Sequence, residues 1–204
     1  TTVTISGYTG AGRIYVCNSS SISDVAGNTA SSGTLTDNAN MYLDNTKPTL
    51  SVSVSSGTTY SSSKTATITL ADPNSGLAAG TYTIKYAWGT STQACSSMTQ
   101  TATITAAKGD TSKSTTVTIS GYTGAGRIYV CNSSSISDVA GNTASSGTLT
   151  DNANMYLDNT KPTLSVSVSS GTTYSSSKTA TITLADPNSG LAAGTYTIKY
   201  AWGT

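Results

Sequence analysis

The chain contains no histidine, no glutamate and no phenylalanine. Its nine acids are all aspartate, and against ten lysines and arginines they leave a formal net charge of +1. Each gap removes a class of function. Without histidine or glutamate, and with no serine or cysteine near a base in sequence, enzyme readings are poor. No glycine-rich phosphate loop and no Cys–His metal cluster appears. The chain therefore reads as no enzyme. A near-neutral balance offers no basic footprint for nucleic acid. No transmembrane run, signal peptide or lipidation motif lies within these residues, so no membrane insertion is expected of them. Helix formers such as Gln, Arg and Leu are scarce, while Thr, Val, Ile and Tyr are plentiful, which favours strands.

What the chain has is repetition. Residues 1–90 recur letter for letter as 115–204, an offset of 114. That period is too long for a solenoid unit and fits a whole small domain. Any function must then be periodic: spacing, or binding many times over. Both ends fall inside the repeat, which suggests a stretch of a longer array. The polar junction Asp44-Asn45-Thr46-Lys47-Pro48 and its copy Asp158–Pro162 mark the boundaries. Residues 45–158 are one complete repeat, 1–44 the C-terminal part of one, and 159–204 the N-terminal part of the next.

Within the complete repeat, Thr49–Val54 and Thr65–Leu70 alternate polar and apolar residues with period two, the mark of strands with one face buried. A turn containing Gly57 separates them. Asp72-Pro73-Asn74-Ser75-Gly76 is dense turn chemistry. Thr81–Trp88 follows as the strongest strand, with Tyr82, Ile84, Tyr86 and Trp88 on one face. Gly89–Gln100 is irregular and carries Cys95. Further strands are expected at 101–105, 115–120, 127–132 and about 153–157. Seven short strands in about a hundred residues point to an all-β sandwich. By the same count 159–204 should hold three strands.

Three stretches, in this order and spacing, resemble the bacterial immunoglobulin-like repeats of large cell-surface proteins. They are the Asp-Asn-Thr-Lys-Pro junction, the Asp72–Gly76 turn before a Tyr-Trp strand, and Asp138-Val139-Ala140-Gly141-Asn142 after Tyr129-Val130-Cys131. The resemblance covers the whole repeat. It implies immunoglobulin-like β-sandwiches in tandem, forming an extracellular stalk or fibre that spaces a distal domain from the cell. The alternative is an adhesin whose repeats bind a host glycan or matrix protein. Partners would be neighbouring copies of the repeat and other chains of a fibre.

The resemblance also bears on particular residues. The family's first cysteine precedes the Trp strand. Here Cys95 follows it, so Cys95 and Cys131 are the within-repeat pair, bridged or else two buried thiols. Cys17 is the copy of Cys131; its mate would lie upstream of Thr1, so within these residues it is expected unpaired or falsely paired. In such a sandwich the loops 71–80 and 133–147 share the pole where the chain enters. That would gather Asp44, Asn45, Asp72 and Asp138, either as a calcium site stiffening the junction or as aspartates capping their own turns or pairing with Lys47. Other candidates have plainer readings beside them. Tyr86 and Trp88 could stack on sugar or pack in the core. The Thr-x-Thr runs suggest an ice-binding face or the solvent face of half-buried strands. Lys64 or Lys85 could form an internal crosslink. Asn132-Ser133-Ser134 and its copy at Asn18 are glycosylation sequons.

Overall fold

A computed structural model describes residues 1–203 except 56–57, 148 and 170–173; for 38–39 and 152–154 only the backbone is described. The turn expected around Gly57 lies outside the described residues. The protein is all-β, built of antiparallel sheets with no α-helix among the described residues. Residues 1–44 hold β1 (Gly10–Cys17), β2 (Ile22–Ser23), β3 (Thr29–Ala30) and β4 (Leu35–Leu43). Residues 45–158 hold β5 (Thr49–Val54), β6 (Ser63–Ala71), β7 (Gly80–Gly89), β8 (Gln100–Ala106), β9 (Ser112–Ser120) and β10 (Gly124–Asn132). Two short strands, β11 (Ile136–Ser137) and β12 (Thr143–Ala144), precede β13 (Leu149–Leu157). Last come β14 (Thr163–Val168) and β15 (Ala180–Ala185).

The complete repeat is two sheets sharing one core. One sheet runs β5-β6-β9 and the other β13-β10-β7-β8. The period-two pattern explains why. On β6, Lys64, Ala66, Ile68 and Leu70 are buried, and the intervening threonines lie on the other face. On β7, Tyr82 and Ile84 are buried, with Tyr86 and Trp88 packed against the same core. Ile68, Leu70, Ile84, Ile128, Met155 and Leu157 join the two sheets with no exposed surface. Fully burying one such side chain stabilises by roughly 1.5–3 kcal/mol. Thr101, Thr103 and Thr105 on β8, and Thr116 and Thr118 on β9, are exposed, so these Thr-x-Thr runs form solvent faces.

β10 buries both its faces. Ile128 and Val130 enter the main core, while Tyr129 and Cys131 point the other way and are equally buried. A short 3-10 turn at Cys95–Ser97 folds across that outer face and brings Met98 against Tyr129. Cys95 and Cys131 are disulfide-bonded, with Cα atoms 5.8 Å apart. The bridge thus fastens the irregular segment after β7 to the outside of its own sheet. Cys17 is a free, exposed thiol.

The flanking copies show the same sequence in other surroundings. β14 pairs with β15 in the register of β5 with β6, Leu164 opposite Leu184 as Leu50 is opposite Leu70. But β6 begins at Ser63, where pairing with β9 begins, whereas β15 begins only at Ala180, where pairing with β14 begins. Residues 195–202 form no strand, although their copies 81–88 lie in β7. The expectation of three strands in 159–204 is therefore corrected to two. The third has neither β8 nor β10 to pair with, and an unpaired strand leaves its backbone groups unsatisfied.

Candidate metal centre at the repeat junction

Three segments meet where the chain enters the complete repeat. The first is the β6–β7 turn. Asp72 Oδ1 accepts the Asn74 amide at 3.2 Å and the Gly76 amide at 2.9 Å. Aspartate is suited to this because its short side chain reaches its own backbone two residues on. Gly76 has φ +77, and a Cβ there would lie 2.5 Å from the Gly109 backbone, so this position demands glycine. The second segment joins β11 to β12. Asp138 Oδ1 accepts the Asn142 amide, and its Oδ2 accepts Asn142 Nδ2, both at 2.7 Å. The two loops are laced together: the Val139 amide donates to Gly76 O at 2.9 Å and the Ala78 amide to Ser137 O at 2.9 Å. Tyr82 closes the seam by donating its hydroxyl to Ala78 O at 2.8 Å.

The third segment is the incoming chain. Asp44 Oδ1 accepts the Thr46 amide at 2.9 Å, and its Oδ2 accepts the Ser75 amide at 3.1 Å. Its backbone carbonyl accepts Asn142 Nδ2 at 3.0 Å. One carboxylate oxygen from each of Asp44, Asp72 and Asp138 then lies within 4.8 Å of the others. Asp72 and Asp138 are buried. Among the described residues no lysine or arginine reaches ion-pair distance of the three. The expected pairing with Lys47 is therefore not found there, and Lys47 is exposed. Each aspartate does cap a turn, as the plainer reading has it. That capping leaves one atom unexplained: Asp72 Oδ2 is buried and has no hydrogen-bond partner.

The donor set fits a hard divalent cation. Two oxygens bound to one calcium at about 2.4 Å are at most about 4.8 Å apart, the limit this cluster meets. Close carboxylates repel one another unless something compensates. The Ser75 side chain beside it, then the Thr46 amide, lower the Asp44 carboxyl from the usual carboxylate range, and the bond that is formed to Asp44 Oδ2 comes from the Ser75 backbone amide. The Ser75 oxygen is itself buried and lacks an aligned bond. Sequence reasoning did not single out Ser75. Its signal was its place inside the Asp72–Gly76 turn. Asn45 stands apart from the carboxylates as a junction residue: it is exposed, and its amide donates to Thr9 Oγ1 at 2.9 Å.

The junction is made twice. Thr9 Oγ1 lies 3.2 Å from Thr46 Oγ1, and its copy Thr123 Oγ1 lies 3.1 Å from Thr160 Oγ1. The Asn45–Thr9 bond recurs as Asn159 to Thr123 at 2.9 Å, and the Ser75–Asp44 bond as Ser189 to Asp158 at 3.0 Å.

The remaining candidates are placed as follows. Asn132 is fully buried, and its Nδ2 donates to Ser134 O at 2.9 Å and Ser145 O at 2.8 Å, so the sequon nitrogen pins a loop. Trp88 packs on the core, donates its indole N–H to Met155 O at 3.3 Å and stacks on Tyr122 with centroids 5.0 Å apart. A Cβ at residue 126 would come within 2.7 Å of that indole, which is why glycine stands there. Lys64 is buried on the core side of β6, and Lys85 is half-buried opposite Cys131. No protein-family model, curated protein or solved structure matches the chain.

Proposed function

We propose that the chain is a non-catalytic stretch of an extracellular bacterial stalk or fibre, built from immunoglobulin-like β-sandwich repeats of 114 residues in tandem. Calcium at Asp44, Asp72 and Asp138 stiffens each junction. The observation that carries this reading is the recurrence of the junction: the same three hydrogen bonds form among residues 9–75 and again among 123–189. A spacer needs each repeat set on the next in a constant orientation. Bonds from Thr9 and Asp44 across to Thr46 and Ser75 supply that constraint. The two-sheet order, three strands against four with a Greek-key crossing from β9 to β10, supports the immunoglobulin-like assignment. The disulfide supports an oxidising, extracellular setting. A repeated adhesin would need an exposed aromatic or charged cluster in every copy. The Trp88–Tyr122 pair is instead engaged in packing, which favours the spacer.

Electron micrographs of an array of several repeats test the proposal. Beads in a straight row at a constant spacing of about 35–45 Å are expected, from nine-residue strands at ~3.3 Å per residue plus two loop layers. Bead chains with freely varying angles would overturn it. Saturable binding of one repeat on a glycan array would favour the adhesin.

A further inference from the structure

The complete repeat has two edge strands on each sheet: β13 and β8 on one, β5 and β9 on the other. An open edge presents unpaired backbone groups to any further strand, and proteins ordinarily blunt it with charge, proline, shortness or a bulge. Three of these edges are blunted. The pairing of β13 with β10 shifts register between Gly126 and Ile128, and Asp151 on β13 pairs with Arg127 at 3.1 Å. β9 carries Lys113, which reaches Asp110 at 3.3 Å. β5 is only six residues long and begins just after Pro48. β8 has none of these devices. Its sequence, Gln100-Thr101-Ala102-Thr103-Ile104-Thr105-Ala106, holds no charge and no proline. Its register with β7 runs unbroken, from Gly80 opposite Ala106 to Tyr86 opposite Gln100. β8 lies wholly within the complete repeat, so each full repeat of an array would present this edge.

The register also gives the direction of its backbone groups. Facing residues of an antiparallel pair alternate between those that exchange both backbone bonds and those that exchange none. The Ser133 amide, just past β10, donates to Thr83 O at 3.0 Å, so Thr83 turns its backbone toward β10. Tyr82, Ile84 and Tyr86 therefore turn toward β8, where they face Ile104, Ala102 and Gln100. That leaves Thr101, Thr103 and Thr105 with N–H and C=O directed away from the sheet. All three residues are exposed. The next outward amide, that of Ala107, is taken by Asp110 Oδ2 at 2.7 Å, which ends the free stretch.

We infer that β8 pairs with β8 of a second copy, antiparallel about a two-fold axis at Thr103. Thr103 then exchanges both backbone bonds with the partner's Thr103, and Thr101 does so with the partner's Thr105. The side chains suit this register. On the core side Ala102 meets the partner's Ile104, small against large. On the outer face a threonine ladder is already in place: the hydroxyls of Thr81 and Thr105 lie 3.2 Å apart, and Thr83 is opposite Thr103. Pairing continues that ladder across the boundary, and cross-strand Thr–Thr pairs are stabilising. One continuous sheet then runs through two sandwiches, recognition by strand addition. The interface is isologous, the same edge on both copies.

The two-fold fixes orientation. β7 and β8 run between the pole beside Asp44 and Asp72 and the opposite one, so reversing β8 reverses the whole array. Stalks rooted in one surface are parallel and do not pair this way; stalks reaching from two facing surfaces do. β8 thus makes the array a homophilic contact between cells, with a second copy of the repeat as its ligand. The step to cells rests on the stalk reading proposed above; the pairing itself does not. Backbone recognition needs no exposed aromatic or charged cluster, so it is compatible with a spacer. A single edge pair is weak, but edges recurring along a stalk act together, and linking modules raises avidity by about 10²–10⁴.

Microspheres coated with the whole chain test the pairing. The chain carries Cys17→Ser and is attached by its C-terminus, so copies on one sphere are parallel and antiparallel pairs form between spheres. Parent spheres should clump. Thr103→Lys spheres and Thr103→Asp spheres should each stay dispersed, because like charges then face each other at the two-fold. Mixed together, the two should clump again, each aggregate holding both kinds. Both variants should melt as the parent does, since Thr103 is exposed. Parent spheres that stay dispersed overturn the pairing, as do Thr103→Lys spheres that clump like the parent. Lysine and aspartate spheres that stay apart when mixed overturn the two-fold register. Micrographs of the array read the stalk separately, so either reading can fail without the other.

Discussion

Replacing Asp72 with asparagine probes the junction directly, because it removes a charge and keeps the shape. Asp72 and Asp138 are both buried, and their facing oxygens lie within 4.8 Å. At an effective dielectric near 20, two unit charges at that distance repel by about 3.5 kcal/mol. The asparagine oxygen still accepts the Asn74 and Gly76 amides, but as a neutral acceptor, a loss of about 1–2 kcal/mol. In EDTA the variant should therefore be more stable than its parent by about 1.5–2.5 kcal/mol, or roughly 6–9 °C in melting temperature for a domain of this size. In calcium the order should invert. A ligand at a hundred times its Kd stabilises by about 2.7 kcal/mol, close to 10 °C here, and the variant lacks the charge to claim it. Differential scanning calorimetry in the two buffers reads both arms. A parent that does not respond to calcium, or a variant that responds as the parent does, refutes the site. A variant that melts lower in EDTA refutes the idea that the three carboxylates strain the junction.

Other consequences are open to direct measurement. Reducing the Cys95–Cys131 bridge, which spans 36 residues, should cost about 3–4 kcal/mol; an unchanged melting temperature would argue that the turn at Cys95 holds itself down. Gly76→Ala places a Cβ 2.5 Å from the Gly109 backbone at φ +77 and should cost about 3 kcal/mol or more, whereas Gly141→Ala, at φ +95 with open space around it, should cost about 1 kcal/mol. Equal costs would mean that the close approach to Gly109 is not what constrains the turn. Asp44 and Asp158 are held below their ordinary range chiefly by Ser75 and Ser189. A depressed folded-state value means their contribution is complete above the unfolded value of about 3.9 and fades as pH falls through the lower, folded one. Amide exchange at Ser75 and Ser189 should stay slow from neutral pH down to about 4 and quicken below; quickening near pH 6 would count against carboxylate capping.

The strands that carry the core could be read because their alternation is strict. Thr49–Val54 was expected as a strand with the bounds it has, and Thr65–Leu70 and Thr81–Trp88 differ from β6 and β7 by one or two residues at each end. The meeting of Asp44, Asp72 and Asp138 was expected from the loop placement that the resemblance to immunoglobulin-like repeats implies. What escaped depended on partners rather than pattern. Residues 81–88 and 195–202 are identical, yet only the first is a strand, because only it has neighbours on both edges. No local signal separates the two. β11 and β12 are two residues each, too short for a period to register, and are held by the Asp138–Asn142 turn. The outer burial of Tyr129 and Cys131 arises from a turn thirty-odd residues earlier, which the irregular stretch around Cys95 did not announce.

The disulfide has a mechanical side. Tension along such an array enters a repeat at Asp44 and leaves at Asp158, and a repeat pulled apart without the bridge would lengthen to about 390 Å at ~3.4 Å per residue. With Cys95 joined to Cys131, the stretch between them, a sequence separation of 36, carries no load and cannot pay out. Only about 78 of the 114 residues would then extend, to roughly 270 Å. The bridge acts as a length stop, and the force reaches the next repeat sooner. In the proposed stalk, how far an overloaded array yields would then be set by the oxidation state of one cysteine pair.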